Sequence, residues 1–297
     1  MFDVIVIGGS YAGTAAALQL ARGRRTVLVI DAGERRNRFA RSSHGFLTRD
    51  GAPPDEIAAI ARAQLLAYPS VTWIEGEATA AAGQADAFTV SIRSGEGHRG
   101  RRLILATGIV DLLPDLPGLA GQWGRTAFHC PYCHGYELNG GKLGVLTTGP
   151  HSVHQAMMLP DWGETTFFTG GSELSAQERG QLSARGVHLE ATPVVSVAGA
   201  GDGIAVTLAD GREIHLAGLF LAPPARPASP IGEQLGCESE DMMGSRLLRT
   251  DAFKATSVAG VFACGDTARM GGSLAFAVAD GVMAGTAAHR SLIFAEG

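Results

Sequence analysis

The chain contains 297 residues, of which 45% are hydrophobic and 18% are charged, and its formal net charge is -5. This composition excludes an extended disordered chain, and the acidic balance argues against a surface that binds nucleic acid. The apolar runs are much shorter than the ~20 residues that a membrane-spanning helix needs. We therefore expect a globular protein of about two domains, with no nucleic-acid partner and no membrane partner.

The chain opens with an apolar strand, a glycine turn and an alanine-rich helix, "DVIVIGGSYAGTAAALQLARG". A second apolar strand, "RTVLVIDAG", follows and contains Asp31 near its end. This order of elements is typical of the first half of a doubly wound, dinucleotide-binding fold. Because the opening strand starts at once and carries Asp3, we expect no export signal and a cytoplasmic location.

The glycine turn has the spacing of a loop that binds pyrophosphate. In a G-x-G-x-x-G loop, the first glycine allows a tight turn, the second lets the backbone approach the phosphates, and the third allows close packing of helix on strand. Ser10 stands at the second of these positions, and Asp31 is placed to accept hydrogen bonds from a ribose diol. We predict that Asp31 binds the cofactor together with the loop residues Gly8, Gly9, Ser10, Ala12 and Gly13.

The same plan of strand, glycine turn and helix returns in the middle of the chain. The strand "GKLGVLTTG" precedes a helix, "HSVHQAMML", which we expect Pro160 to end. Strands at residues 204–208 and 218–221 complete this middle unit, and the proline-rich stretch "APPARPASP" leads out of it. We predict an α/β protein with two Rossmann-like domains, the second inserted in the first. The first domain is predicted at residues 1–113 and 247–297, and the central domain at residues 114–246.

The tail carries a further strand, "GVFACGD" (residues 260–266), and then a helix rich in alanine and glycine that we predict to begin near Ser273. Together with "LILATG" (residues 103–108), the tail resembles the paired signatures of flavoproteins with two dinucleotide-binding domains. The resemblance implies FAD as the cofactor, with Asp266 near its ribityl–pyrophosphate region. A helix N-terminus also favours the negative charge of a reduced flavin. The residues that this comparison assigns to FAD are Ala106, Thr107, Gly108, Gly265, Asp266, Ser273, Leu274 and Ala275.

Two cysteines, Cys130 and Cys133, lie at C-x-x-C spacing in "FHCPYCHGYE". This spacing serves redox disulfides, halves of zinc sites and, with a following histidine, c-type haem attachment. A zinc site is disfavoured because Cys237 and Cys264 stand alone, without pair spacing. Haem attachment fits the letters "CPYCH", but it needs export and a large apolar pocket, which the sequence does not suggest. A redox disulfide is our interpretation, and we predict no metal site.

Over essentially its full length the chain resembles the low-molecular-weight thioredoxin reductases. In that family the C-x-x-C lies in the central domain, just before the second glycine loop, as it does here. The resemblance implies that Cys133 faces the flavin, that Cys130 exchanges with substrate, and that the protein is a homodimer. The reductases place an aspartate after the second cysteine as a proton donor. His134 stands at that position here, and we assign proton transfer to it because histidine titrates near neutral pH. The alternative is that His134 is a surface loop residue without a role in the chemistry.

The second glycine loop departs from the reductases. Where they carry G-x-G-x-x-A, this chain has "TTGPHSV", with Thr147 at the first glycine, Gly149 at the second and Ser152 at the alanine. Pro150 also removes one backbone N–H from a loop whose N–H groups should bind pyrophosphate. The stretch "FFTGGSELS" lacks the arginine pair of NADPH-specific reductases. We therefore predict that a pyridine nucleotide is not the normal electron partner.

The combination of "CPYCHGYE" with the upstream "SHGFLTRDG" looks like the FAD-dependent dithiol oxidases of the gliotoxin and holomycin type. This resemblance implies the oxidation of a small-molecule dithiol to a disulfide, with O₂ as the electron acceptor and H₂O₂ as the product. Two roles stay open for the upstream segment and its His44: part of the site, or a structural loop against the flavin. Two other functions stay open as well: a disulfide reductase fed by NADPH or ferredoxin, and a flavin-bearing redox sensor without turnover.

Overall fold

The computed structural model describes residues 1–294, in which strands and helices alternate. The strands, numbered in chain order, are β1 Phe2–Ile7, β2 Val27–Asp31, β3 Val71–Glu75, β4 Ala78–Ala82, β5 Phe88–Ile92, β6 Gly97–Leu105, β7 Ile109–Asp111, β8 Ala127–Phe128, β9 Gly140–Leu146, β10 Gly163–Phe168, β11 His188–Glu190, β12 Val194–Ala200, β13 Gly203–Leu208, β14 Glu213–Leu216, β15 Gly218–Phe220, β16 Ala225–Pro227, β17 Ser239–Met242, β18 Ser245–Leu248 and β19 Val261–Ala263. The helices are α1 Tyr11–Arg22, α2 Pro54–Leu66, α3 Leu119–Gln122, α4 Pro131–His134, α5 His151–Met158, α6 Ala176–Ala184, α7 Ile231–Gln234 and α8 Leu274–Ser291. Within residues 1–294, no helix combines the length and the apolarity that crossing a membrane requires.

The described chain divides into two compact units. The first, called the terminal unit below, contains Met1–Arg38, Pro54–Val110 and the chain from Ala225 onward. The second, called the central unit, contains Phe39–Pro53 and Asp111–Pro224. The predicted fold class, an α/β protein with a second domain inserted in the first, is confirmed.

The terminal unit is built on one sheet in which β3, β2, β1 and β6 run parallel, in that order. Strand β19 runs parallel beside β6, and β5 and β4 continue the sheet in antiparallel fashion. Val4 and Val6 belong to the apolar cluster on one face, and Ile5 and Ile7 to the cluster on the other, because side chains alternate along a strand. Since both faces are buried, β1 is an unbroken apolar run.

Helices α1 and α8 lie against each other over one face of this sheet. A Cβ atom at Gly281 would lie 2.1 Å from the carbonyl oxygen of Ala12. At Gly285 it would lie 2.5 Å from the carbonyl oxygen of Ala16. Only glycine allows the two backbones to approach so closely, and the small residues predicted in the tail helix therefore serve helix packing.

Residues 225–246, which the sequence analysis placed in the central domain, belong to the terminal unit. Ile231 and Cys237 are buried in the same apolar cluster as Phe88 and Val90 of β5. The chain therefore leaves the central unit within the proline-rich "APPARPASP" stretch, and the predicted boundary at residue 246 is corrected to residue 224. The physical reason is that the apolar side chains after this stretch complete the core of the first sheet.

The central unit has a parallel sheet in the order β11-β10-β9-β15-β8 and a separate antiparallel sheet of β12, β13 and β14. Val145 and Phe167 pack on the side of the parallel sheet where α5 and α6 contribute residues to the core. Leu146 and Phe168 pack on the other side, with the antiparallel sheet. Strand β8 is the edge strand of the parallel sheet, so the cysteine motif that follows Phe128 begins at this edge.

The segment Phe39–Pro53 also belongs to the central unit, whereas the sequence placed it in the first domain. The segment contains an internally bonded loop. The N–H of Ser43 donates to the carbonyl of Ala52 (2.8 Å), and the N–H of Gly51 donates to the carbonyl of Ser43 (2.9 Å). These two bonds tie the ends of the loop together and fix the backbone at His44.

Candidate active site

The first glycine loop connects β1 to α1, and close backbone contacts require its glycines. Gly8 has φ +100°, and a Cβ atom there would lie 2.2 Å from the carbonyl oxygen of Ala106. A Cβ atom at Gly13 would lie 1.8 Å from the carbonyl oxygen of Gly8. These contacts hold the start of α1 directly after β1, with the backbone N–H groups of the first helical turn at the loop. Such a helix start binds the phosphates of a dinucleotide.

Asp31, at the end of β2, orders this loop. Its Oδ1 accepts a hydrogen bond from the backbone N–H of Gly9 (3.0 Å). One carboxylate oxygen therefore fixes the loop, and we assign the other to a ribose hydroxyl. Ser10 is the N-cap residue of α1, but its side chain makes no capping hydrogen bond. The Ser10 hydroxyl is therefore available to a ligand at the helix start.

Strands β6 and β19 bring two more sequence signatures to the same edge of the sheet. Thr107 follows β6, and its hydroxyl donates to the hydroxyl of Thr267 (3.3 Å). Gly265 follows β19 with φ +72°, and a Cβ atom there would lie 2.9 Å from the Cβ of Ala12. The carboxyl ends of β1, β2, β6 and β19 thus meet at one edge, which is where open α/β sheets bind their ligands.

Helix α8 begins after the "GVFACGD" signature, and Ser273 caps its N-terminus. Ser273 Oγ accepts a hydrogen bond from the backbone N–H of Phe276 (3.1 Å). The N–H groups of Leu274 and Ala275 precede the first hydrogen bonds of the helix and form its positive end. Ser273 therefore acts through the helix cap, and the two backbone N–H groups are the donors that a flavin edge would meet.

Asp266 lies between a cation and a glycine. One of its carboxylate oxygens is 3.5 Å from the guanidinium of Arg36. A Cβ atom at Gly272 would lie 2.8 Å from the other. The missing side chain at Gly272 thus lets the backbone of the loop approach the Asp266 carboxylate closely.

The cysteine motif forms a closed disulfide between Cys130 and Cys133, with their Cα atoms 5.3 Å apart. Cys130 is the N-cap residue of the short helix α4, and Pro131 begins that helix. Gly135 follows it, and a Cβ atom there would lie 2.6 Å from the ring of Trp162. Proline at the start and glycine at the end therefore hold the two cysteines on one helical turn, at the distance that a disulfide requires.

His134, which carries the predicted proton-transfer role, stacks on Phe128. The ring centroids are 4.3 Å apart and the ring planes differ by 22°. Burial, and then the charge of nearby His44, lower the pKa of His134 from 6.5 to about 4. The imidazole is therefore neutral at neutral pH, with one nitrogen that can accept a proton and one that can donate.

His44 lies beside the cysteine motif and not away from it. Its Nδ1 is 3.4 Å from Oε1 of Glu137 and 3.6 Å from Oδ1 of Asp50. Asp50 also accepts a hydrogen bond from the backbone N–H of Gly45 (2.8 Å), so this carboxylate orders the loop. Glu137 belongs to the "CHGYE" part of the motif, three residues after His134. Sequence reasoning did not assign Glu137 a role, although the motif contained it.

Gln155 connects α5 to the cysteine motif. Its Nε2 donates to the backbone carbonyl of His129 (2.7 Å), the residue before Cys130. Gln155 is only 6% exposed. The helix that begins at the second glycine loop thus holds the backbone of the disulfide loop. No motif marked this residue, since a buried glutamine within an amphipathic helix has no sequence signal of its own.

In the second glycine loop, a serine side chain accepts a hydrogen bond from a backbone N–H of the loop. The backbone N–H of Thr148 donates to Oγ of Ser152 (2.9 Å), and Ser152 is fully buried. In a dinucleotide-binding loop such an N–H would serve the phosphates. The substitution of serine for the alanine of the reductases therefore occupies one donor, and Pro150 removes another.

A cavity of about 380 Å³ opens beside this loop, and two glutamates line it. Glu178 is held by the hydroxyl and the backbone N–H of Ser175, which lower the pKa of its carboxyl, so it stays ionised. Its negative charge lies beside the loop where a bound dinucleotide would bring negative charge of its own. The lining residues are Thr147, Thr148, Gly149, Pro150, Val153, Phe167, Ser172, Glu173, Leu174 and Glu178.

Comparison with known proteins agrees with the two-unit architecture and the closed disulfide. The family model described as pyridine nucleotide-disulphide oxidoreductase matches residues 2–290. The chain belongs to this family. The thioredoxin reductase tcpT of Claviceps purpurea is 35% identical, over 98% of this chain and 94% of the relative.

Two solved structures resemble this pyridine nucleotide-disulphide oxidoreductase closely. An oxidoreductase from Agrobacterium tumefaciens is 53% identical with a TM-score of 0.96, and the match covers 99% of each chain. The crystal structure of HlmI is 36% identical with a TM-score of 0.91, and the match covers 98% of this chain and 92% of that one. The predicted resemblance to the thioredoxin reductases is therefore confirmed.

FAD is the cofactor of this oxidoreductase, as the sequence predicted. The terminal unit fits FAD on its own geometry. The backbone cradle from Gly8 to Gly13 suits a pyrophosphate, the carboxylate of Asp31 suits a ribose, and the start of α8 suits the flavin edge that gains negative charge on reduction. The sequence prediction assigns Asp266 to the polar chain between them. The roles of the individual residues stay predictions.

The two other cysteines are buried free thiols of the terminal unit. Cys264 is buried in the terminal unit, and burial raises the pKa of its thiol to about 12. Burial also raises the pKa of Cys237. Both thiols therefore stay protonated at neutral pH and are poor nucleophiles. The Cys130–Cys133 pair therefore stays the predicted redox site.

Proposed function

We propose that this oxidoreductase oxidises a small-molecule dithiol to a disulfide through Cys130 and Cys133 and passes the electrons to O₂, which becomes H₂O₂. The observation that carries the proposal is the closure of the second glycine loop by Ser152 in a chain that keeps its C-x-x-C disulfide. A chain that accepts electrons from a substrate dithiol needs the disulfide but not a pyridine nucleotide.

The central unit gives a pyridine nucleotide little to bind. Ser152 occupies the N–H of Thr148, and Pro150 has none. Glu173 and Glu178 line the adjoining cavity, where their carboxylates repel phosphates. The loss of N–H donors weakens the binding of a pyrophosphate. Independently, the two carboxylates make the local electrostatic potential negative. They support a role for the central unit as the carrier of the disulfide.

The thiol chemistry proceeds in two exchanges. A substrate thiolate attacks the sulfur of Cys130, forms a mixed disulfide and releases Cys133 as a thiolate. The second substrate thiolate then attacks the substrate sulfur of the mixed disulfide, closes the product disulfide and releases Cys130. The substrate has lost two electrons and two protons, and the cysteine pair holds the electrons. FAD, when bound, supplies the two-electron acceptor that restores the cysteine disulfide and delivers the electrons to O₂.

Exposed aromatic side chains flank the disulfide. Tyr132, between the two cysteines, is 73% exposed and stands edge-on to the ring of Trp162, with centroids 5.1 Å apart. Tyr136, one helical turn later, is 83% exposed. Exposed aromatic rings beside a reactive sulfur suit a small dithiol with apolar or aromatic groups. We assign Tyr132 and Tyr136 to contacts with such a substrate.

Anaerobic mixing of the holoenzyme with one reductant at a time tests the proposal. A small dithiol such as dithiothreitol should bleach the flavin rapidly, and NADPH at the same concentration should leave it oxidised. The names of relatives such as tcpT favour the alternative of a disulfide reductase. Rapid bleaching by NADPH would establish that alternative, bleaching by reduced ferredoxin alone would establish its second form, and reduction without turnover would indicate a redox sensor. The homodimer and the cytoplasmic location stay predictions.

A further inference from the structure

We infer that His44 and Glu137 form a proton-relay pair that receives, through His134, the proton that each substrate thiol releases at the disulfide. The inference rests on the proposed function and adds to it a path for the protons. His134 exchanges protons at the reacting sulfur, His44 takes them up, and Glu137 positions His44.

His134 alone is a poor final acceptor for these protons. Its ring is stacked on Phe128 and half-buried, so a positive charge there is costly. Its pKa of about 4 lies far below the ordinary value of about 8.5 for a thiol. A proton taken by His134 would return to the sulfur unless a second group removed it.

A neutral imidazole can pass a proton on without keeping it. One ring nitrogen accepts the thiol proton while the N–H on the other side donates to the next base, so the ring stays neutral. The S–H bond breaks as an N–H bond forms on one nitrogen of His134, and at the same time the N–H bond on its other nitrogen breaks as one forms on His44. His44 contacts Glu137, which stands three residues after His134 in the same motif, and this makes His44 the candidate for the next base.

His44 has the environment that a proton acceptor needs. The carboxylates of Glu137 and Asp50 lie 3.4 and 3.6 Å from its Nδ1. A carboxylate at Nδ1 fixes the tautomer and leaves Nε2 as the nitrogen that exchanges protons. The titratable groups that face His44 are thus Glu137 from the cysteine motif, Asp50 from its own loop, and His134.

The pair can also release its proton to water. The side chain of Glu137 is 42% exposed and that of His44 is 21% exposed. Two thiol protons must leave in each turnover, so the acceptor has to empty between the two exchanges. A half-exposed carboxylate next to the histidine provides that exit, whereas the stacked ring of His134 does not.

The test is the pH dependence of flavin reduction by dithiothreitol in anaerobic stopped flow, with FAD-loaded protein. At pH 7, His44→Gln should slow the reduction by roughly 10²-fold, and Glu137→Gln should slow it by a smaller factor. At pH about 9.5, above the thiol pKa of about 8.5, the substrate is already a thiolate, and both variants should approach the wild-type rate. Glu213→Gln is the matched control, because Glu213 pairs with His215 at 2.8 Å and both side chains are exposed. It should behave as the wild type at every pH.

The outcomes separate this inference from the proposed function. If dithiothreitol fails to reduce the wild type, the proposed function is wrong. If it reduces the wild type and the His44 variant equally at pH 7, the relay is wrong and the proposed function stands. A rate loss of the same size at pH 7 and pH 9.5 would also overturn the relay, because it would indicate a purely structural role. A variant that lost its FAD would be replaced by His44→Asn, with the same two readings.

Discussion

The backbone N–H of Thr148 donates to the buried hydroxyl of Ser152 at 2.9 Å, within the loop where related folds bind a dinucleotide phosphate. If the proposed function is right, this contact lets a dinucleotide-type domain keep its fold without a bound pyridine nucleotide. The N–H of Thr148 has an acceptor within the loop, and this hydrogen bond fixes the start of α5.

Loss of the Ser152 hydroxyl should therefore weaken the protein. Ser152→Ala leaves the Thr148 N–H without this acceptor in a buried place, and we expect a loss of about 1–3 kcal/mol in the free energy of unfolding. Urea unfolding of the FAD-loaded protein measures it. Ser183→Ala, at an exposed position on α6, is the control and should change little. An unchanged midpoint for Ser152→Ala would contradict the structural role.

Gln155 should matter for the reactivity of the disulfide as well as for stability. Gln155→Leu removes the hydrogen bond that the side chain donates to the His129 carbonyl. We expect the loop before Cys130 to loosen, and the rate of exchange with dithiothreitol to fall severalfold. Gln181→Leu, at an exposed position on α6, is the matched control. Equal exchange rates in the two variants would show that α5 does not position the disulfide.

The two cysteines should differ in the colour of their variants. Cys130→Ser and Cys133→Ser should both abolish turnover, since one thiol cannot close the disulfide that carries the electron pair. If Cys133 faces the flavin, Cys130→Ser leaves its thiolate there and should show a long-wavelength charge-transfer band. Cys133→Ser should show none. Absorption spectra above pH 7 decide this, and a band in Cys133→Ser alone would reverse the assignment of the two sulfurs.

His134 should make the folded protein sensitive to acid. Its pKa is about 4 in the folded chain and about 6.5 when the chain is unfolded. Between these values the unfolded chain binds a proton that the folded chain does not, so stability falls as the pH drops from 6.5 to 4 and levels off below 4. His134→Gln should flatten this part of the curve, whereas His215→Gln, at an exposed position, should not. The measurement is the urea midpoint of each protein at pH 7, 5.5 and 4. Equal changes in midpoint with pH for the wild type and His134→Gln would contradict the account.

The local elements of both units could be predicted from the sequence. The strand, glycine loop and helix at residues 2–22 follow from an apolar run and small residues, and α5 ends at Met158, ahead of Pro160, as predicted. The C-x-x-C spacing allowed three chemistries, and the disulfide between Cys130 and Cys133 was predicted once zinc and haem were disfavoured. Such patterns are short-range, so the apolar periodicity and turn residues within one segment determine them.

The contacts between distant segments could not be predicted. His44 and Glu137 are far apart in the chain, and their pairing depends on where the loop at residues 39–53 packs. The return of the chain to the first sheet at residue 224 depends in the same way on Ile231 and Cys237 joining a distant core. Periodicity shows which side chains are buried but not which core receives them.

The fate of the electrons is the most direct test of the central claim. The FAD-loaded enzyme, mixed with a small dithiol in air-saturated buffer without NADPH, should consume O₂ and form one H₂O₂ for each substrate disulfide, over many turnovers. An oxygen electrode and a peroxide assay measure both quantities on the same sample, and Cys130→Ser should abolish both. Turnover that requires NADPH, or disulfide formation without peroxide, would contradict a dithiol oxidase.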